Sequence, residues 1–179
     1  MRRATLLVRE FHEAGGLPVD HGLHRADRND DTIVTQVGLA LQAMSTRMAR
    51  HGRGSKAMRA RLLLEELGEL LVAAGHHDEV GVADGLADLA YVTAGTAVEW
   101  GIPLGPVFEA VHTSNMSKFP PCPDCNESGL QGPIGLATAC EPCGGRGRHV
   151  FKDAHGKVAK PPTFQPPNIA AVLDKHRAG

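Results

Sequence analysis

Apolar residues in the first two thirds of the chain recur at intervals of three and four positions, which is the period of an α-helix. The clearest run is Ile33, Val34, Val37, Leu41, Met44 and Met48. The pattern predicts four helices, at residues 31–50, 56–74, 82–100 and 105–117. The breaks between them contain glycine or proline. Because short loops make consecutive helices antiparallel neighbours, the sequence predicts an all-α fold built as an antiparallel four-helix bundle.

The two ends of the chain have a different character from this helical region. About the first 28 residues are interrupted by Gly15-Gly16 and Pro18, and predict a short helix or extended arm. Residues 120–150 are rich in Cys, Gly and Pro and show no helical period. We therefore expect a core at 1–119, a small insertion at 120–150, and a tail at 151–179. The tail would form a hairpin near Ala154–Gly156 and a proline-rich stretch that packs on the core or a neighbouring subunit.

Composition narrows the choice of partners. With 19 basic and 20 acidic residues, the chain has no overall field that favours nucleic acid or a membrane surface. Aromatic residues make up only 4%, which favours helices packed through aliphatic side chains. No apolar run is long enough to span a bilayer, and no signal-peptide core follows the first residues. We expect a cytoplasmic protein with no membrane partner and no nucleic-acid partner.

Five carboxylates are concentrated on the second and third predicted helices: Glu65, Glu66, Glu69, Asp84 and Asp88. Helical spacing places each group on a narrow arc, where like charges repel by about 0.2–0.5 kcal/mol per pair. A solvated helix face normally mixes both signs of charge, but no Lys or Arg lies between Glu66 and Glu99. We therefore prefer a metal site to a solvated face. Oxygen ligands of this kind suit Mg²⁺, or Mn²⁺ in its place.

Four cysteines form two pairs of CxxC spacing, Cys122 with Cys125 and Cys140 with Cys143. Disulfide frameworks usually extend along a secreted chain, whereas this cluster is confined to one short segment. Two such pairs supply four thiolates for a tetrahedral Zn²⁺, and a site filled by four sulfurs is structural. Redox-active or free thiols are the alternative. In a segment so poor in apolar residues, we expect zinc to provide most of the folding energy.

Three sequence stretches carry a family resemblance: EELGE, then DGLADLAYVTAGTAVEWGI, then VHTSNMSKF. They resemble the all-α nucleoside triphosphate pyrophosphohydrolases, which include the MazG-like and phosphoribosyl-ATP pyrophosphohydrolase-like proteins. FHEAGGLPV and KDAHGKVAKPPTFQPPNI are similar to members of the same group, and the cysteine segment resembles zinc modules of the chaperone J-protein type. The resemblance implies a four-helix core that forms a homodimer or homotetramer. It also implies Mg²⁺-dependent cleavage of a nucleoside triphosphate to a monophosphate and pyrophosphate.

The resemblance also implies roles for individual residues. Asp88 matches the aspartate of the family's second acidic motif, but Gly85 stands where many members have glutamate, and Asp84 lies one residue earlier. Asn115 and Lys118 match positions near the nucleotide, where Lys118 would offset phosphate charge and Asn115 would bond to the sugar or base.

From the chemistry of the site, Glu66 or Glu69 could accept the proton of the attacking water. Arg61, with Arg59, could contact phosphate, and Tyr91 either packs beside the nucleotide or lies in the core.

Two other functions remain open from the sequence. The first keeps the chemistry but makes phosphoribosyl-ATP the substrate. The second is not enzymatic: a helical scaffold whose zinc module binds a protein or nucleic-acid partner.

Overall fold

The computed structural model describes residues 1–20, 22, 28–133 and 135–178. About 60% of the chain is helical, and the only sheet of the described part is a two-stranded one, so the all-α class is confirmed. The helices are α1 (Arg2–Gly15), α2 (Asp31–His51), α3 (Ser55–Gly75), α4 (Glu79–Glu99), α5 (Leu104–Met116) and α6 (Ile169–Ala178). A 3-10 turn covers Arg28–Asp30, and β1 (Leu130–Gln131) pairs antiparallel with β2 (Thr138–Ala139).

Helix boundaries follow the predicted ones closely, with two refinements. Helix α4 begins at Glu79, three residues before the predicted start, because Asp78 is its N-cap and accepts a hydrogen bond from the Gly81 amide at 3.0 Å. The N-terminal segment, predicted as helix or arm, is a 14-residue helix that ends at the left-handed Gly16 (φ 60°).

The chain divides into two compact units. The three-helix unit comprises residues 21–103 and contains α2, α3 and α4. The terminal unit comprises residues 1–20 and 104–179, and contains α1, α5, the cysteine segment, the tail and α6. The division into core, insertion and tail stays a prediction.

Glycines set the packing of the three-helix unit. A Cβ on Gly38 of α2 would lie 2.8 Å from the carbonyl oxygen of Gly68 on α3, so the two backbones meet directly. Close backbone approach leaves few side chains enclosed, and Ala97 is the one buried apolar side chain among those the structure describes in this unit. Large apolar side chains remain exposed on all three helices, including Ile33, Met44, Met58, Leu86 and Val98.

The terminal unit has a small aromatic and sulfur core. Phe119 is 1% exposed and packs against Phe11 of α1, with ring centroids 4.9 Å apart. The tail attaches to α5 through two bonds: Ser114 Oγ donates to the Gln165 carbonyl at 2.6 Å, and the Gln165 amide donates to Ser117 Oγ at 2.9 Å. The chain reverses at Ala154–Gly156, next to an antiparallel bridge between Lys152 and Val158.

Among the described residues, no helix has the combination of length and apolar character that crossing a membrane requires.

Candidate active site and cysteine cluster

The five predicted metal-ligating carboxylates lie on α3 and α4, which pack against each other in the three-helix unit. Glu65 and Glu66 are half-buried, whereas Glu69, Asp84 and Asp88 are exposed. The cluster therefore extends from the helix interface to the solvent. Water and a ligand can reach its outer members.

Glu66 is the electrostatic centre of this acidic cluster. Burial raises the pKa of its carboxyl group, and the charges of Asp88, Glu69, Glu65 and Asp84 raise it further, in that order. Each of these four groups is therefore close enough to act on Glu66. Even so, no three of these described carboxylates have oxygens within 4.8 Å of one another, so the cluster is open. An ion that bound here would be coordinated partly by water or by the phosphates of a substrate.

Position 85 is where the sequence leaves the family's usual acidic pattern, and the packing gives the reason. Gly85 is buried, and a Cβ there would lie 3.0 Å from both Cα and Cβ of Leu70 on α3. There is no room for a glutamate side chain at this contact. Asp84, one residue earlier, is exposed instead.

Arg61 and Tyr91 also belong to the three-helix unit. Arg61 lines a cavity of about 400 Å³ at the turn between α2 and α3, and its buried Nε has no hydrogen-bond partner among the described residues. Arg59, in contrast, forms an ion pair with Glu99. Tyr91 is 81% exposed, so it is not a core tyrosine. Of the two arginines, Arg61 is the one without an ion pair to a described residue.

Asn115 and Lys118 lie at the end of α5, in the terminal unit. The Lys118 amide donates to the Asn115 carbonyl at 3.1 Å, which fixes the turn after the helix. The Lys118 ammonium lies 5.5 Å from the centroid of the Phe11 ring. Both side chains are half-buried.

The cysteine cluster is closed and fully formed. All four sulfurs lie within 4.8 Å of one another, and the residues are between 0 and 8% exposed. Cys122 Sγ is 3.9 Å from Cys140 Sγ, and Cys125 Sγ is 3.7 Å from Cys143 Sγ. Disulfide sulfurs would be about 2.05 Å apart. A tetrahedral zinc ion with bonds of about 2.3 Å places its sulfurs about 3.8 Å apart. The cluster could therefore hold a zinc ion with little rearrangement.

Two matching turns build the cysteine cluster. The Cys122 amide donates to the Gly147 carbonyl at 2.9 Å, and the Cys140 amide donates to the Gly129 carbonyl at 2.8 Å. Gly129 (φ 71°) and Gly147 (φ 70°) follow their knuckles at the same spacing, in a left-handed conformation that favours glycine. Each knuckle is thus held by the glycine that follows the other one.

A backbone amide also donates a hydrogen bond directly to one of the sulfurs. Burial by itself would raise the pKa of the Cys143 thiol, but the Gly147 amide, which donates to Sγ at 3.3 Å, and the other thiols lower it to about 7. Burial raises the pKa of Cys140 to about 12. One sulfur of the metal-free cluster is therefore prepared for the thiolate form that a metal needs.

Two side chains beside this cluster were not singled out by the sequence analysis. Asp124 and His149 lie within 4.8 Å of Cys122 Sγ and of each other, measured between possible ligand atoms. Asp124 is exposed and His149 half-buried. The position of Asp124 inside the first CxxC was the available signal, whereas His149 gave none.

Residues 38–115 match the family model for phosphoribosyl-ATP pyrophosphohydrolase. This segment is therefore similar to the MazG-like all-α pyrophosphohydrolases. It contains every acidic residue of the cluster and ends at Asn115, and it covers less than half of the 179 residues. Comparison with curated proteins and with solved structures found no significant match. The resemblance carried by EELGE and the following motifs is confirmed for this segment.

Proposed function

We propose that this pyrophosphohydrolase-like chain hydrolyses a nucleoside triphosphate, in the ribo or deoxy form, to a nucleoside monophosphate and pyrophosphate in a Mg²⁺-dependent reaction. The observation that carries the proposal is the open acidic cluster centred on Glu66, inside the segment that matches the family. No Lys or Arg between Glu66 and Glu99 neutralises it. Like charges at this density need a cation, and an exposed cluster admits one that also contacts phosphate.

The residues that would hold Mg²⁺, or Mn²⁺, are those of the acidic cluster: Glu65, Glu66, Glu69, Asp84 and Asp88. When bound, the ion supplies charge neutralisation at the phosphate oxygens and acidifies a bound water. A carboxylate not engaged with metal takes the proton of the attacking water. Glu66 and Glu69 are our candidates, and the raised pKa of Glu66 moves it toward the range in which a general base works best.

Phosphoribosyl-ATP is the second candidate substrate, because the matching family model carries that description. Both substrates present a phosphoanhydride chain to the same carboxylates. The acidic cluster by itself does not distinguish them, because it contacts the phosphates that they share.

We also propose a structural Zn²⁺ at Cys122, Cys125, Cys140 and Cys143. Its support is the burial of the four sulfurs, which lie within 4.8 Å of one another and include two pairs 3.9 and 3.7 Å apart. We further propose a homodimer or homotetramer. The support here is the set of large apolar side chains exposed on α2, α3 and α4, which a second copy would cover.

One assay tests the enzymatic proposal. The purified chain would be given a panel of ribo- and deoxynucleoside triphosphates and phosphoribosyl-ATP, with Mg²⁺, and release of pyrophosphate would be measured. We expect turnover with Mg²⁺ and none without a divalent ion. Selective turnover of phosphoribosyl-ATP would favour the second substrate. If none of the compounds released pyrophosphate, the hydrolase proposal would be contradicted. The non-enzymatic scaffold would then be the remaining function.

A further inference from the structure

Two lysines of the terminal unit lie near one aromatic ring, and a third is close enough to act on one of them. The Lys118 ammonium lies 6.0 Å and the Lys160 ammonium 4.7 Å from the centroid of Phe164. Lys157 is close enough to Lys118 for its charge to lower the pKa of Lys118. We call Lys118, Lys157 and Lys160 the lysine cluster.

The tail holds this arrangement in place. The Asp153 amide donates to the Lys157 carbonyl at 2.9 Å, and the Ala159 amide donates to the Phe151 carbonyl at 2.8 Å, so both sides of Lys157–Lys160 are anchored. The Phe164 amide then donates to the Pro161 carbonyl at 3.0 Å, which closes the turn before this residue. Gln165 is bonded to α5 at Ser114 and Ser117, just before Lys118.

No ion pair among the described residues compensates the positive charge of the lysine cluster. None of the three ammonium groups forms an ion pair with a described residue. Burial lowers the pKa of the half-buried Lys118, and the charges of Lys160 and Lys157 lower it further. The faces of Phe11 and Phe164 attract the ammonium groups but carry no net charge.

Solvated lysines usually spread apart, whereas two of these lie against the same ring and the third is near. Lysine is a flexible point charge with three donors, and it binds phosphate oxygens without needing a fixed fork geometry. We propose that Lys118, Lys157 and Lys160 form a binding site for a condensed phosphate, either the triphosphate chain of the nucleotide or free pyrophosphate. The site adds Lys157 and Lys160 to the substrate-binding residues, and rests on the proposed function.

Calorimetric titration of inorganic pyrophosphate into the full chain tests the proposal, in buffer without Mg²⁺ and without chelator. Lys160 is exposed, so Lys160→Gln should fold normally, which far-UV circular dichroism would verify. We expect Lys160→Gln to weaken pyrophosphate binding about five- to tenfold, the effect of losing one charged contact in partly screened surroundings. Lys160→Arg keeps the charge and should stay within about twofold of the wild type.

Lys152→Gln is the matched control, because Lys152 is an exposed lysine of the same tail that has no part in the electrostatic shift of Lys118. It should bind pyrophosphate as the wild type does. A wild-type chain that does not bind pyrophosphate would overturn the proposal, and so would equal losses in Lys152→Gln and Lys160→Gln.

A second titration, with a non-hydrolysable triphosphate analogue, separates the two sources of the phosphate. If the site binds the triphosphate of the nucleotide, Lys160→Gln weakens binding of the analogue as well as of pyrophosphate. If the site binds only the free product, Lys160→Gln weakens binding of pyrophosphate and leaves binding of the analogue unchanged. Because these measurements record binding and not turnover, a failure of hydrolysis in the substrate panel would remain distinguishable from a failure of the lysine cluster.

Discussion

The acidic cluster and the cysteine cluster are both candidate metal centres, and they differ in how completely the chain has formed them. The four sulfurs are buried and lie within 4.8 Å of one another. The other four carboxylates of the acidic cluster all act on Glu66, but no three of the five bring their oxygens so close among the described residues, and three of the five are exposed. A closed sulfur site suits a structural ion, whereas an open oxygen site suits an ion shared with water and substrate.

Charge explains the difference. Burial raises the pKa of Cys122 and Cys140, so these thiols are neutral at physiological pH and can pack together without repulsion. Carboxylates are ionised there and repel at short range, and only a cation would allow them to converge. Neutral thiols can therefore lie close together, whereas the carboxylates would reach such short separations only with a cation between them.

The largest effect should follow from removing a ligand of the cysteine cluster, which would change both zinc content and folding. Cys140→Ser removes one of four ligands from a site whose zinc would contribute about 10–16 kcal/mol to folding, by analogy with zinc-finger peptides. We expect zinc content to fall from about one ion per chain to near zero, and the terminal unit to lose protection from proteolysis. Glu141→Gln, at an exposed position of the same knuckle, should retain zinc. Full zinc occupancy in Cys140→Ser would contradict a four-cysteine site.

A substitution in the acidic cluster should lower the activity of the protein and leave its folding unchanged. Glu66→Gln keeps the size of the side chain but removes its charge and its basicity, so we expect kcat/KM for pyrophosphate release to fall at least about 100-fold. Circular dichroism should show unchanged helix content, and zinc content should be unchanged. Glu79→Gln changes an exposed residue in the first turn of α4 and should keep wild-type turnover. Wild-type turnover in Glu66→Gln would exclude this residue from the reaction.

The spacing of α3 and α4 should matter for stability, because it sets the separation of the carboxylates. In Gly85→Ala the new Cβ would lie 3.0 Å from the Leu70 backbone, and we expect overpacking to cost about 1–3 kcal/mol. The better helix propensity of alanine returns about 1 kcal/mol of this. Thermal denaturation should therefore show a lower melting temperature.

Gly95→Ala provides the matched comparison on the same helix. The Cβ there meets only the end of the flexible Arg59 side chain, at 3.2 Å, so the gain in propensity should raise the melting temperature. If both variants shifted the melting temperature in the same direction, the close contact at Gly85 would not be what positions the two helices.

The sequence predicted local features of both clusters well, and failed where the contact partner was distant. Helix α2 was predicted at 31–50 and runs from Asp31 to His51, because periodic apolar positions and capping residues are local signals. The two CxxC pairs were equally local. Nothing local, however, showed that Gly85 is buried against Leu70, or that the tail brings Lys160 to the ring that Lys118 also contacts. Those facts depend on tertiary packing, which a periodicity does not encode.

The smallest effect concerns the dependence of stability on pH. Burial and four neighbouring carboxylates raise the pKa of Glu66 above its ordinary 4.5, so ionising it disfavours the folded state. Its contribution to stability is complete below 4.5 and is lost as the pH rises through the raised pKa. In buffer free of Mg²⁺, Glu66→Gln should therefore melt at a higher temperature than the wild type at pH 8, and this advantage should shrink toward pH 5.

Adding Mg²⁺ should reverse the order of the two melting temperatures, because the ion stabilises the chain that binds it more tightly. The cysteine cluster provides the internal reference, since a structural zinc ion bound at that buried site should respond to neither Mg²⁺ nor this substitution. A wild type that is the more stable protein at pH 8 without Mg²⁺ would show that the carboxylates do not repel one another in the folded chain. The acidic cluster would then be a solvated helix face, with no cation required to complete it.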